Sequence, residues 1–170
     1  FPIGEFPKLS FLSDQPSKMR KTIYSILVIV TLLCSCGDKP NQTEITYYQS
    51  DDMASLGLPF SDAVRVDNML YLSGVVGMIP GKMELVEGGL EAESRQIMEN
   101  IQKVLQANGS SLENAIKFTI FIDDINRWSD FNKVYVEYFP NKKPARSALG
   151  VEGLALGAAV EVECIAVIPD

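Results

Sequence analysis

Two glutamates near the carboxyl end of the chain have the spacing of side chains that share one face of a β-strand. Glu161 and Glu163 alternate with Val160, Val162 and Cys164. A strand here would carry both carboxylates on one face, about 7 Å apart, and the apolar side chains on the other. Paired carboxylates can act as acid and base or orient a water molecule. The same spacing is also typical of the solvated face of an ordinary strand.

A single arginine stands where a loop is predicted to become a strand. Arg146 lies in the sequence Pro-Ala-Arg-Ser at residues 144–147. Its guanidinium could bind a carboxylate ligand through two parallel hydrogen bonds, or it could form a surface ion pair. Ser73 and Gly74 end another β-prone segment, where a glycine indicates either close approach of a ligand to the backbone or a β-bulge. None of these positions identifies a reaction by itself.

The composition excludes several kinds of chemistry. The 170 residues contain no histidine, which excludes Ser-His-Asp and Cys-His nucleophile systems and imidazole as a general base. The sequence has no glycine-rich phosphate loop and no cysteine spacing typical of a metal site, so we expect neither a cofactor nor a metal. The net charge of −7 disfavours nucleic acid as a partner, because phosphate contacts require clustered lysine and arginine.

The first part of the chain has the pattern of a bacterial lipoprotein signal peptide. Arg20 and Lys21 follow Met19, and an apolar run occupies residues 23–33. The run is too short for a permanent transmembrane helix and has the length of a signal-peptide core. It ends in Leu-Cys-Ser-Cys, which predicts that Cys36 receives lipid and holds the protein at the bacterial cell envelope. The alternative is a short core helix with incidental cysteines.

These patterns divide the chain into an N-terminal targeting segment and a folded domain. We expect residues 1–18 to be an upstream extension that is not native, residues 19–35 to be the signal peptide, residues 36–46 to be a polar tether, and residues 47–170 to be the domain. Cys164 would then be the one free thiol of the mature chain, so the fold must be stable without an internal disulfide.

Strands and helices are predicted along the domain in the order β-β-α-β-α-β-β. This order is typical of an α+β domain in which both helices pack on one face of a mixed sheet. Because the central strands are apolar on both sides, the other face must also be covered, which predicts a homo-oligomer. The predicted elements are a hairpin over residues 62–76, helices over 90–107 and 127–139, and strands over 115–122, 146–151 and 159–168.

Several motifs in this order resemble the RidA/YjgF family, the enamine and imine deaminases formerly called L-PSP endoribonucleases. The similarity covers about residues 58–167 and is most specific in Pro-Ala-Arg-Ser and in Val-Glu-Val-Glu at residues 160–163. The resemblance implies a chorismate-mutase-like α+β subunit and a homotrimer with three clefts between subunits. The other matching motifs are Tyr-Leu-Ser-Gly at 71–74, Phe-Ile-Asp-Asp at 121–124, Asn132 and Tyr-Val-Glu-Tyr-Phe at 135–139.

The resemblance also implies roles for particular residues. Arg146 is similar to the arginine that binds the substrate carboxylate, and Glu161 is similar to the residue that positions the attacking water. Ser73 and Gly74 match the pair that lines the pocket floor, and Asn132 matches a polar residue of the second helix.

The sequence departs from the family pattern at three places. Phe60 stands where deaminating members commonly have tyrosine, so one hydroxyl is missing. Ala148 stands where they often have cysteine, although the backbone at this position is what contacts the ligand. Val-Val-Gly at residues 75–77 replaces the usual Gln-Ile-Pro.

The function that the resemblance implies is hydrolysis of 2-imino or enamino acids to 2-keto acids and ammonia, with no cofactor. The alternative is a lipid-anchored trimer that binds small carboxylates without reaction. Two features favour it: export would separate the protein from the cytoplasmic enzymes that release enamines, and Phe60 removes a polar group from the pocket. Ribonuclease activity, implied by the older family name, is disfavoured by the acidic charge and by the missing histidines.

Overall fold

The computed structural model describes Pro16 and residues 42–169. Apart from Pro16, the upstream extension, the predicted signal peptide and Cys36 lie outside these residues. Within the described part, no helix is long and apolar enough to cross a membrane.

The described chain forms a mixed sheet with helices, which confirms the predicted α+β fold. The strands are β1 (Ile45–Tyr48), β2 (Ala63–Val66), β3 (Met69–Leu72), β4 (Val75–Val76), β5 (Ala115–Ile122), β6 (Ala145–Gly150) and β7 (Val160–Val167). The helices are α1 (Asp51–Ser55), α2 (Gly89–Ala107) and α3 (Trp128–Tyr138), with short 3-10 turns at Leu112–Asn114, Ile125–Arg127 and Ala155–Gly157.

Strand β7 lies in the middle of the sheet. The strand order is β1-β2-β3-β7-β5-β6, and β4 also pairs with β7. β5 and β6 are parallel, and the other pairs are antiparallel. β7 is therefore bordered along its length by β3, β4 and β5, whereas β6 is an edge strand.

Alternation along β7 and β5 separates a buried face from an open one, as the sequence predicts for residues 160–167. Glu161 is half-buried and Glu163 is exposed, on the face opposite the core. The buried face is apolar and packs with the long helices. It includes Phe118, Ile120 and Ile122 of β5, Val160, Val162, Cys164 and Ala166 of β7, Leu90, Ile97, Ile101 and Leu105 of α2, and Phe131 of α3.

Helix α2 is held against the sheet by a buried carboxylate. Glu93 is 5% exposed, and its Oε2 accepts a hydrogen bond from the backbone N–H of Ala159 at 2.8 Å. The helix also comes very close to Gly77, because a Cβ placed on this glycine would lie 2.7 Å from Glu93 Cα. The absence of a side chain at residue 77 therefore permits the close packing of α2 next to β4.

Gly77→Ala is expected to lower the free energy of unfolding by about 1–3 kcal/mol, because a backbone atom of α2 cannot turn aside to make room. Urea unfolding measures this change. Gly153→Ala is the matched control, since a Cβ there would meet no atom within 4 Å. Equal stability of the two variants would contradict the close contact between residue 77 and α2.

Two elements of the structure were not predicted from the sequence. β1 pairs with β2 and begins at Ile45, so the predicted tether over residues 36–46 is wrong at its last two residues. The sequence does not reveal this strand because its partner is distant along the chain. α1 is a five-residue helix, too short to show a helical periodicity, and Ser50 caps it by accepting a hydrogen bond from Met53 N at 3.3 Å.

The sheet face opposite the helices carries several exposed apolar side chains. Tyr47 is 73% exposed, Leu149 is 47% exposed and Tyr71 is 43% exposed. The strand register puts Phe121 and Ile165 on this same face, and both are only partly buried. No described residue covers these side chains.

Candidate active site

Glu161 occupies the open face of the central strand. Its Cα is paired with Val76 of β4 on one side and with Phe121 of β5 on the other. Burial raises the pKa of the Glu161 carboxyl above its ordinary value, and the negative charge of Glu163 raises it further. A carboxylate that is partly removed from water holds a proton more readily than a solvated one, which suits a group that exchanges protons with a ligand.

Gly74 allows the Glu161 carboxylate to lie directly over the backbone of the neighbouring segment. A Cβ on residue 74 would overlap Glu161 Oε1 and would lie 2.9 Å from its Cδ. The sequence left two explanations for this glycine, a β-bulge or a close approach to the backbone. The structure shows a close approach, and the approaching group is the protein's own carboxylate.

Ser73 is hydrogen-bonded to the loop that precedes β2. Its Oγ donates to the carbonyl of Ser61 at 2.7 Å, and its backbone N–H donates to the carbonyl of Asp62 at 3.0 Å. Because the hydroxyl proton is already used, Ser73 offers a ligand only an oxygen lone pair. The Asp62 carboxylate in turn accepts from Ser50 N at 2.6 Å, a contact that the sequence did not predict.

Four of the predicted site residues line one cavity. Phe60, Ser73, Gly74 and Glu161 all lie on the wall of a cavity of about 540 Å³. Phe60 is 46% exposed, so an apolar ring lies on the cavity wall at the position where deaminating relatives were expected to carry a hydroxyl. We call these four residues the glutamate half-site.

Arg146 lies on the other face of the sheet, at its edge. Its Cα is paired with Phe118, a residue of the buried face, and its side chain turns toward α3. The guanidinium carbon lies 4.3 Å from the centre of the Trp128 ring and 4.7 Å from the centre of the Tyr135 ring. Such cation–π contacts hold the planar guanidinium in place while leaving its N–H groups free to donate.

The surface ion pair that the sequence left open for Arg146 is not formed with any described residue. Burial lowers the pKa of its guanidinium relative to the ordinary value. An arginine nevertheless remains charged at neutral pH, so a partly desolvated cation stays available to an anion.

Two buried polar atoms lie on the helix face next to Arg146. Asn132 Oδ1 and the Tyr135 hydroxyl have no hydrogen-bond partner among the described residues. Burial raises the pKa of Tyr135 to about 12, so its phenol stays protonated. Trp128, Asn132 and Tyr135 follow the i, i+4, i+7 spacing of one helix face. The sequence does not reveal the contact of Trp128 and Tyr135 with Arg146, because aromatic residues at this spacing are typical of the buried face of a helix.

The predicted site residues thus form two groups on opposite faces of the sheet. Asn132, Arg146 and Ala148 belong to the helix side, which we call the arginine half-site together with Trp128 and Tyr135. Ala148 shares the face of Arg146 because they are two residues apart on β6. Arg146 does not line the cavity that contains Glu161. One subunit therefore does not bring the two half-sites together.

A family model described as Endoribonuclease L-PSP matches residues 52–168. The chain belongs to this family. The match includes both half-sites, and it confirms the membership that the motifs around Arg146 and Glu161 predicted.

Relatives of this L-PSP family chain include proteins with named activities. The chain is 44% identical over 114 residues to the 2-iminobutanoate/2-iminopropanoate deaminase of Bos taurus, covering 67% of this chain and 82% of the relative. It is 39% identical over 124 residues to Protein HMF1 of Saccharomyces cerevisiae, covering 73% and 95%. A solved Rid-family structure from Yersinia pestis superposes with a TM-score of 0.69 at 36% identity, covering 74% of this chain and all of that one.

Glu161→Gln is expected to raise the Tm of this L-PSP family protein at pH 7. The folded carboxyl has a raised pKa, so the folded state binds its proton more tightly than the unfolded state does. The stability contribution of Glu161 is therefore present below the unfolded pKa and is lost as the pH rises through the folded pKa.

Glutamine has no such proton, so the Tm values of the variant and the wild type should converge below about pH 4. Scanning calorimetry from pH 3 to pH 8 measures the difference. The exposed Glu152 provides the control Glu152→Gln. A Tm difference that grows as the pH falls would contradict the desolvation of Glu161.

Proposed function

We propose that this protein hydrolyses 2-imino acids and their enamine tautomers to 2-keto acids and ammonia. The observation that carries the proposal is a complementary pair of ligand groups: a guanidinium with no carboxylate partner in the described chain, and a half-buried carboxylate at a cavity. A 2-imino acid has an anionic carboxylate and, next to it, a carbon that water can attack. The name of the bovine relative supports the same substrate class.

In the proposed reaction, Arg146 binds the substrate carboxylate through two hydrogen bonds, and Glu161 holds the attacking water. The water oxygen bonds to the carbon of the protonated imine, and the C=N π pair moves to nitrogen. Glu161 accepts a proton from the water and passes it to nitrogen. The C–N bond then breaks, ammonia leaves with the bonding pair, and the remaining hydroxyl proton passes to ammonia as the C=O bond forms.

The roles of the other residues follow from their positions. Backbone groups at Gly74 and Ala148 contact the imine nitrogen in this proposal. The Ser73 lone pair offers a further hydrogen bond to the bound molecule. The proposed reaction does not use a histidine side chain, and the chain contains none.

We also propose that the working form is a homotrimer in which the arginine half-site of one subunit faces the glutamate half-site of the next. Two observations support it. The half-sites lie on opposite faces of one sheet, and the exposed apolar side chains of the open face include Tyr47, Tyr71 and Leu149. A closed ring with head-to-tail contacts would cover this face and form one complete site at each interface.

Arg146→Ala and Glu161→Ala are each expected to lower kcat/KM for imine hydrolysis by at least about 100-fold, because each removes one half of the proposed site. The assay generates the imine from an amino acid with an amino-acid oxidase and follows its capture by semicarbazide. Arg146→Lys is the matched control, because lysine keeps the positive charge but cannot bind a carboxylate through two parallel hydrogen bonds. Unchanged rates in both alanine variants would contradict the proposed roles of Arg146 and Glu161 in imine hydrolysis.

Co-expression of the two variants tests whether the site is shared. If the two half-sites belong to neighbouring subunits, each mixed trimer contains one intact site, and activity should recover to about a third of the wild-type value. Different affinity tags on the two chains allow mixed trimers to be purified. Arg146→Ala paired with the Arg146→Ala/Glu161→Ala double variant should show no recovery. Failure of the first pair to recover would contradict a shared site.

Carboxylate binding without catalysis is a second candidate function. Phe60, which lacks the hydroxyl expected in deaminating relatives, favours it because its apolar ring lies on the wall of the cavity that contains Glu161. Calorimetric binding of pyruvate by protein that does not hydrolyse imines would support this function. RNA cleavage is a weaker proposal, since the chain has a net charge of −7 and no histidine.

We further propose that lipid attached to Cys36 anchors the protein in the bacterial cell envelope. Supporting this are the basic pair, the apolar run and the Leu-Cys-Ser-Cys boundary in their expected order. After expression in a bacterium with lipoprotein-processing enzymes, mass spectrometry should find the mature chain beginning at a diacylated Cys36. Cys36→Ser should remove the lipid, whereas the control Cys34→Ser should retain it. A mature chain that begins upstream of Met19 would contradict both the anchor and the predicted start.

A further inference from the structure

Within a single subunit, the cavity next to Glu161 is larger than a small imino acid requires. Its volume is about 540 Å³. It lies within the range of about 300–1,000 Å³ typical of sites that enclose a drug-sized ligand. The acids named for the bovine relative, iminobutanoate and iminopropanoate, have short side chains that would leave most of such a space unfilled.

Much of the cavity wall is apolar. Met53, Leu58, Met83, Val104 and Leu156 all line it, beyond the glutamate half-site. Met83 is 47% exposed and Leu156 is 46% exposed, so neither side chain is used to fill the core. Methionine side chains are flexible and polarisable, and they adapt to apolar ligands of different shapes. Outside the half-site the wall has three charged residues: Asp52 and Lys103 are exposed. The third, Asp62, is 9% exposed and its carboxylate accepts a hydrogen bond from Ser50 N.

Leu156 is held in a backbone conformation that leucine rarely adopts. It has φ 59° and ψ 10° in the turn Ala155–Gly157, which is the left-handed region. A Cβ makes this region unfavourable for leucine, and such strain is typical of functional sites, where the surrounding structure maintains it. The strained conformation presents an exposed apolar side chain to the cavity, which a glycine at the same position would not do.

We propose that the apolar wall formed by Met53, Leu58, Met83, Val104 and Leu156 is a subsite for the substrate side chain, and that this protein prefers imino acids with straight apolar side chains of four carbons or more. The inference rests on the proposed deamination. The carboxylate and the imine group would lie at the half-sites, and the side chain would extend along the apolar wall, away from Glu161.

A series of imines of increasing length tests the preference on the full chain. The imines are generated from alanine, 2-aminobutyrate, norvaline and norleucine. Each buried methylene should raise kcat/KM by up to about fourfold, so the norleucine-derived imine should exceed the alanine-derived one by at least about tenfold. The readout is the ratio of these two kcat/KM values, which does not depend on the amount of active protein.

Two variants of Leu156 should lower this ratio toward one. Leu156→Asn keeps a residue that tolerates the left-handed conformation but makes the wall polar. Leu156→Gly removes the side chain and also relieves the backbone strain. Its Tm should therefore rise while its ratio of kcat/KM values falls, a combination that general damage to the fold would not produce.

Val136→Asn is the control, because Val136 is 51% exposed on α3 and does not line the cavity. Its ratio should equal that of the wild type.

The outcomes separate this inference from the proposed function. A ratio of one or less, with the alanine-derived imine still hydrolysed, overturns the subsite and leaves the deamination standing. If no imine is hydrolysed, the proposed function fails, and calorimetry compares 2-oxohexanoate with pyruvate. Tighter binding of 2-oxohexanoate that Leu156→Asn abolishes supports the subsite without catalysis. Equal binding, or no binding of either acid, overturns it.

Discussion

The alternation of side chains across the sheet separates the free cation from the half-buried carboxylate. Arg146 is paired with Phe118 and Glu161 with Phe121. Because these two positions of β5 are three residues apart, their side chains lie on opposite faces, and so do those of their partners. A reaction that needs both groups must therefore use two subunits. Oligomerisation would then complete the site as well as cover the apolar open face.

Each charged group is held in a partly desolvated position by an unusual neighbour. The guanidinium of Arg146 stacks on Trp128 and Tyr135, and the Glu161 carboxylate lies over Gly74, which has no side chain. Neither group has a compensating charge of opposite sign among the described residues. In the proposed complex, the substrate supplies one, because its carboxylate faces Arg146 and its protonated imine faces Glu161.

The hydrophobic pattern of the sequence predicted most of the strands and helices near the site, but not the contacts between them that position the site residues. Burial of one face of β7 explains why alternation over residues 160–167 was informative, and β5 follows its predicted bounds of residues 115–122. β1 was missed because its pairing with β2 is a long-range contact, and α1 because five residues show no periodicity. The aromatic contacts of Arg146 were missed because the helix pattern of Trp128 and Tyr135 is that of ordinary core residues.

The amino-acid sequence by itself determined the α+β class, the central apolar strands and the family, and it predicted Arg146 and Glu161 as site residues. These properties depend on hydrophobic periodicity and on short motifs, both of which can be recognised from the order of residues along the chain. Only the tertiary structure decided that the two residues lie on opposite faces, that Gly74 makes room for the Glu161 carboxylate, and that Leu156 adopts a strained turn at a large apolar cavity. Pairing between distant strands sets the first two, and the cavity is lined by segments that are distant along the chain, so no local window of sequence contains that information.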